Sequence, residues 1–212
     1  MFTKFTMPII SFFGPDGSGK TTLARALMRE LKHRGLMPLT SWMRGTHTLA
    51  SIIAKILAKF SGFRGQDNPY YGVSIPNSMR RLWQLLEFVS VLPVLLVKFI
   101  LPSILGYTVI AERYIPDFLA WVSTTTRDEN YLERLEARFM LALSAKANVR
   151  IYVTASEAEL IKRRSGEVGE KFLSRQLKLY DRLAKIVKAY KIDTTDRSIK
   201  ETLNELLNLI QH

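Results

Sequence analysis

The sequence predicts an α/β fold, a three-layer arrangement of a parallel sheet covered on both faces by helices. Two observations predict it. Short apolar runs alternate with helical patterns along most of the chain. A glycine-rich turn at 14–21 separates the first apolar run from the first helical one. The length of 212 residues suits one larger domain, read here as spanning 1–212. An apolar fraction of 47% supplies its core.

The elements follow in order. The run 8–13 reads as a buried strand, and 22–31 as the helix behind the turn. A second strand is expected over 38–43, entering a loop at Arg44-Gly45-Thr46. The stretch 52–60 reads as helical. The stretch 61–76 is the most loop-like, because Gly62, Gly65, Pro69, Gly72 and Pro76 punctuate it. The strongly apolar 82–105 is interrupted by Glu87, Pro93, Lys98 and Pro102. Its uninterrupted run between the two charges is ten residues. A membrane span needs about 20. The segment is therefore read as a buried or dimer-forming helix kinked at Pro93. Further on, strands are expected at 107–111, 149–153 and 190–193, and helices at 130–147, 156–164 and 171–188. A charged loop is expected at 165–170, and a final helix opens at Asp196.

The net charge is +12, from 31 Lys and Arg against 19 Asp and Glu. Such a balance favours anionic partners. The basic residues are dispersed, so a basic surface around a phosphate site is expected rather than nucleic-acid or membrane binding. There is no cysteine, which removes disulfide frameworks and thiolate zinc sites and suits the reducing cytoplasm. The first seven residues are too short for a signal peptide and run straight into the first strand.

Gly14-Pro15-Asp16-Gly17-Ser18-Gly19-Lys20-Thr21 fits G-x-x-x-x-G-K-[ST], with a strand before it and a helix after. Glycines let successive N–H groups turn inward, and the helix N-terminus adds partial positive charge. The loop and Thr22 are expected to surround the phosphates of ATP. Lys20 would reach the β- and γ-phosphates, and the Thr21 hydroxyl would ligate Mg2+. A second constellation is Glu112-Arg113-Tyr114, at the carboxyl end of the third expected strand. A carboxylate there is suited to help hold Mg2+, and Arg113 to face a phosphate.

The segment 14–22 resembles the phosphate loop of the thymidylate kinase family, and Glu112-Arg113-Tyr114 is similar to that family's Asp-Arg-Tyr/His motif. Arg44, Ala120, Leu160-Ile161-Lys162-Arg163-Arg164, the Phe172, Arg175, Tyr180 spacing and Ile192-Asp193-Thr194 follow in the family's order. The resemblance implies a nucleoside monophosphate kinase with sheet order 2-3-1-4-5 and a short lid near 163–171. It implies transfer from ATP to a nucleoside monophosphate, foremost dTMP to dTDP, by a homodimer. Lys20, Arg113, Arg164 and Arg163 would be catalytic. Asp16, Arg44, Arg113 and Tyr114 would bind the acceptor, and Thr21 and Glu112 the metal, Glu112 through water.

The match departs on the acceptor side. Glu112 replaces the usual Asp. Ser90, Val91 and Leu92 stand where the family has an Arg, and Arg80 and Arg81 lie ten residues earlier. Asp117, Trp121 and Val122 stand where the family often has Ser, Tyr and Gln. Two other readings stay open: a kinase of a non-nucleotide metabolite, and a non-enzymatic ATP-dependent binding protein.

Overall fold

The computed structural model describes residues 9–163 and 170–211, and the side chains of 170–172 and 211 lie outside that set. Five strands form one sheet in the order β2-β4-β1-β5-β6, and every pairing is parallel. They are β1 (Ile9–Phe13), β2 (Pro38–Trp42), β4 (Thr108–Arg113), β5 (Val149–Thr154) and β6 (Tyr190–Asp193). The remaining strand, β3 (Arg64–Asn68), lies outside the sheet. With β3 set aside, the order among the sheet strands is the expected 2-3-1-4-5.

The central strand explains the layering. Every residue of β1 is buried, and its side chains alternate between two cores. Ile9 and Phe13 join one core with residues of α3 (Arg80–Leu95), α5 (Ile115–Thr125), α6 (Leu135–Ser144) and α8 (Glu170–Ile186). Ile10 and Phe12 join the other, with α1 (Lys20–His33) and α9 (Ile199–Gln211). Helices on both faces are what a parallel sheet requires. Because the strands are parallel, β1, β2 and β4 deliver Gly14, Arg44 and Arg113 to the same edge of the sheet.

Three expectations change in detail. The loop-like 61–76 contains β3, whose Arg64 and Asn68 both bridge Val73 in antiparallel sense. Pro93 sits inside α3, and the irregularity follows it as a π-helical turn at Leu96–Ile100 before α4 (Leu101–Ile104). The helix thus continues through Pro93, and no kink ends it there. The helix expected over 130–147 begins as a 3-10 turn at Tyr131–Glu133 and becomes α6 only at Leu135.

The apolar segment forms a continuous helical run, Asn77–Ile104, of 28 residues and mean hydropathy 2.1 over its most apolar window, a third of which is buried. Its length and composition suffice to cross a membrane. Glu87 nevertheless points into the protein and is only 1% exposed.

Candidate active site

The phosphate loop is shaped by close backbone approach. Gly14 has φ +139, and a Cβ there would lie 2.1 Å from the Val153 carbonyl oxygen. Only glycine fits that position. Gly19 caps α1 in the left-handed region at φ 87. No acidic residue occupies the first turn of α1, so its N-terminus is free to favour an anion. Lys20 is buried, with Nζ donating to the Pro15 carbonyl at 2.5 Å and to Ser18 Oγ at 3.2 Å. The ammonium is thus held within the loop, close to where phosphates would lie.

The Thr21 hydroxyl donates to Glu112 Oε1. This contact joins the first turn of α1 to the tip of β4 across 91 residues of sequence. Thr21 and Glu112 are both oxygen donors, the ligand type a Mg2+ ion takes. Among the described residues no group of three or more His, Cys, Asp or Glu side chains forms a metal site.

Asp16 is the centre of the site. Arg44 Nη2 donates to its Oδ2 at 3.0 Å, and Arg113 Nη2 donates to its Oδ1. Arg113 also reaches Asp117 Oδ1 at 2.8 Å through Nη1. Asp117 is 1% exposed and fully used. Its Oδ1 also accepts from the Tyr180 hydroxyl at 2.9 Å, and its Oδ2 accepts the Tyr114 N–H at 3.4 Å. The last bond belongs to the capping box that starts α5. Asp117 therefore orients Arg113 and begins a helix with one carboxylate. Burial, joined by the Asp117 charge, pushes the Tyr180 hydroxyl well above its ordinary value.

Arg44 lies against two aromatic rings, 4.5 Å from the Trp121 ring and 5.3 Å from the Tyr70 ring. Its Nη1 donates to the Tyr70 hydroxyl at 2.6 Å. Its backbone N–H donates to His47 Nε2 at 3.0 Å, which fixes the unprotonated nitrogen of that ring. Burial, and the Lys98 charge after it, hold the His47 pKa below its ordinary value.

A third arginine, Arg163, reaches back to the phosphate loop. Its Nη1 donates to the Gly17 carbonyl at 3.3 Å and to Thr194 Oγ1 at 3.0 Å, and its Nη2 donates to the Thr194 carbonyl at 3.1 Å. Glu159 balances its charge at 2.9 Å. A cavity of about 470 Å³ runs past these groups, lined by Gly17, Lys20, Thr21, Arg113, Arg163 and Arg197 among others.

Of the residues expected in the site, Asp16, Lys20, Thr21, Arg44, Glu112, Arg113 and Arg163 converge. Arg164 lies outside the described residues, as does most of the expected lid. Tyr114 corrects an expectation, since its side chain lies in the core 5.1 Å from the Phe99 ring and not in the cleft. Burial pushes its hydroxyl up to about 12. The backbone alternation explains this, because Arg113 and Tyr114 cannot both face the loop. Ser90 and Val91 are buried anchors, and Val122 is core. Arg81 pairs with Glu136 and Arg80 bonds Asn77, so neither joins the cluster. Tyr70, Thr46 and Arg197 escaped the sequence reading, because no motif marks them. An aromatic within a glycine-rich hairpin was the available signal for Tyr70.

The phosphate loop lies between β1 and α1 of a three-layer α/β fold, the strand–loop–helix context its motif requires. No protein-family model matches the chain, and no curated protein matches it. Among solved structures, the crystal structure of thymidylate kinase from Ehrlichia chaffeensis shares the fold, with a TM-score of 0.60. The superposition covers 97% of this chain and 99% of that one, at 16% sequence identity.

Proposed function

We propose that this chain passes the γ-phosphoryl group of ATP to a nucleoside monophosphate, with dTMP as the acceptor and dTDP as the product. The observation that carries the reading is Asp16, a phosphate-loop carboxylate gripped by two arginines from neighbouring strand ends. Lys20, buried within the same loop, would meet the donor phosphates, and Arg44 with Arg113 the acceptor phosphate. The fold shared with thymidylate kinase supports the same reading.

Phosphoryl transfer of this kind needs positioning and charge neutralisation more than acid–base chemistry. Lys20 and the loop N–H groups hold the donor phosphates. Arg113 and Arg44 exchange Asp16 for the acceptor phosphate, and Asp16 is freed to meet an acceptor hydroxyl. Arg163 and Thr194 border the nucleotide end of the cavity. Thr21 and Glu112 would hold Mg2+, which when bound neutralises charge on the β- and γ-phosphate oxygens. Arg164 and the lid would complete enclosure of the transferring group.

A homodimer is proposed through the exposed apolar face of α2 (Thr48–Leu57) and α3, two helices that pack together. Leu82, Leu85 and Val89 are exposed and recur at three- and four-residue steps, with Leu96 seven residues on in the π-helical turn, beside Leu49, Ile52 and Ile56. Such a stripe pairs with a second copy of itself. Light scattering after size exclusion tests this, with a monomer overturning it.

A second reading has its own support. Asp117 is spent on Arg113, Tyr114 and Tyr180, Val122 is buried in the core, and Tyr70 and Trp121 cover Arg44. Few free groups remain to read a base, which favours a non-nucleotide acceptor. ADP release with ATP and Mg2+ over a panel of monophosphates separates the two. Turnover of dTMP well above dUMP, dCMP, AMP and GMP supports the first. Turnover of a sugar or alcohol with no nucleotide turnover establishes the second.

A further inference from the structure

Glu87 lies in the middle of the long apolar helix, 1% exposed, yet it touches the acceptor side of the site. Its Oε2 accepts the Thr46 backbone N–H, and its Oε1 accepts the Thr46 hydroxyl at 2.6 Å. Thr46 belongs to the loop that carries Arg44, and its φ of 56 is one a threonine rarely takes. Such a conformation persists where its partners over-determine it.

The hydrogen bonds at Thr46 Oγ1 can be counted. A hydroxyl offers one proton and two lone pairs. Both lone pairs are used, by Asn68 Nδ2 at 3.1 Å and by Trp121 Nε1 at 2.9 Å. The proton therefore goes to Glu87. One hydroxyl thus joins α3, the loop, β3 and α5. The same contacts fix the arginine. Trp121 is the ring beneath the Arg44 guanidinium, and Asn68 belongs to the hairpin whose Tyr70 accepts from Arg44. Gly45 is pressed onto Trp121 so tightly that a Cβ would come within 1.8 Å of its Cδ1.

We infer that Glu87 is a positioning residue: through Thr46 it sets the 44–48 loop and so presents Arg44 to the acceptor phosphate. The inference rests on the reading of Arg44 as an acceptor ligand. A carboxylate is required because both its oxygens face donors. An amide would turn N–H2 toward one of them and lose that bond. The fold does not depend on this contact alone. One turn further along α3, Ser90 makes a separate tether, its carbonyl accepting the Thr48 hydroxyl at 2.6 Å and its Oγ accepting the Ala50 N–H at 2.9 Å.

The test compares Glu87→Gln, Thr46→Val and Thr46→Ser in the full chain. Amide exchange over residues 44–48 is followed, and KM is measured for dTMP and for ATP. In Glu87→Gln and Thr46→Val, exchange of the segment should quicken and the dTMP KM should rise about tenfold, the effect of one lost bond of about 1.4 kcal/mol. The ATP KM and kcat should stay within about twofold of the unsubstituted values. Thr46→Ser, which keeps the hydroxyl, should restore both. Unchanged exchange and unchanged dTMP KM in Glu87→Gln would overturn the inference, as would equal rises in both KM values. Arg44→Ala, run in parallel, separates the two claims. If it leaves the dTMP KM unchanged, or if dTMP is not turned over at all, the functional reading fails, and the exchange data alone decide whether Glu87 holds the loop.

Discussion

Arg44 and Asp16 meet at 3.0 Å although 28 residues separate them, and that contact ties the loop after β2 to the phosphate loop after β1. Arg113, from the strand between them, takes the other Asp16 oxygen. Three adjacent strands thus end on one carboxylate. The donor half of the site is built from the same loop that anchors the acceptor half, so disturbance of either side has a distinct signature.

On the donor side, Lys20→Ala should lower the rate of phosphoryl transfer about 100-fold or more, because the transition-state charge loses its nearest fixed cation. The far-ultraviolet circular dichroism should not change, since the Lys20 contacts to Pro15 and Ser18 lie within the loop and hold no helix or strand in place. ADP release measures the first quantity.

On the acceptor side, Arg44→Ala and Arg113→Ala should each raise the dTMP KM at least about tenfold, with far less effect on ATP. Their stabilities should differ. Arg113→Ala strips the ion partner from buried Asp117, a change that costs about 3–5 kcal/mol. Arg44 pairs with Asp16, whose side chain is a quarter exposed and keeps Arg113 as a partner, so Arg44→Ala should melt closer to the unsubstituted protein. Paired melting curves and kinetics check both statements.

Arg163→Ala should act in the opposite sense, raising the ATP KM more than the dTMP KM. Its guanidinium bonds Gly17 and Thr194 and borders the cavity, without reaching Asp16. Equal effects on the two substrates would count against this placement.

Much of this arrangement is legible in the sequence, and what is not has a physical reason. The phosphate loop announces itself because glycine at 14 answers a local demand, the approach of the Val153 carbonyl. The alternation of apolar runs points to a parallel sheet, while its strand order is an expectation carried by the family resemblance. Arg113 is reached because strand ends in such sheets converge, and Arg44 through the family resemblance. Glu87 reads in the sequence only as an interruption of an apolar helix. Its meaning depends on Thr46, 41 residues away, and no local pattern encodes that pairing. Trp121 reads as a departure from a family pattern, while the fold uses its indole as a platform for Arg44. The π-helical turn escapes for a similar reason, since the packing around Ser41 and the Lys98 carbonyl is tertiary.

Titration of Glu87 gives a pH test. Burial raises its pKa from 4.5 to about 7, against the lowering effect of the Thr46 bonds. Facing it are Thr46 from the loop, Trp83 from its own helix and Tyr131 from the turn before α6. Between those two pH values the folded state holds more protons than the unfolded one. This group's contribution to stability is therefore fully present below 4.5 and falls as pH rises to about 7. Function should run the other way, because the ionised form holds Thr46. The dTMP KM should rise as pH drops through about 7, and Glu87→Gln should flatten that dependence. His47 titrates below its ordinary value and remains in both proteins, so the comparison isolates Glu87.

The most direct test of the account is ADP release by the purified chain with ATP, Mg2+ and dTMP, beside the same assay on Lys20→Ala. The account predicts dTMP-dependent ADP release by the unsubstituted protein, saturable in dTMP and lost in the Lys20 variant. No ADP release with dTMP or with any other nucleoside monophosphate would contradict it.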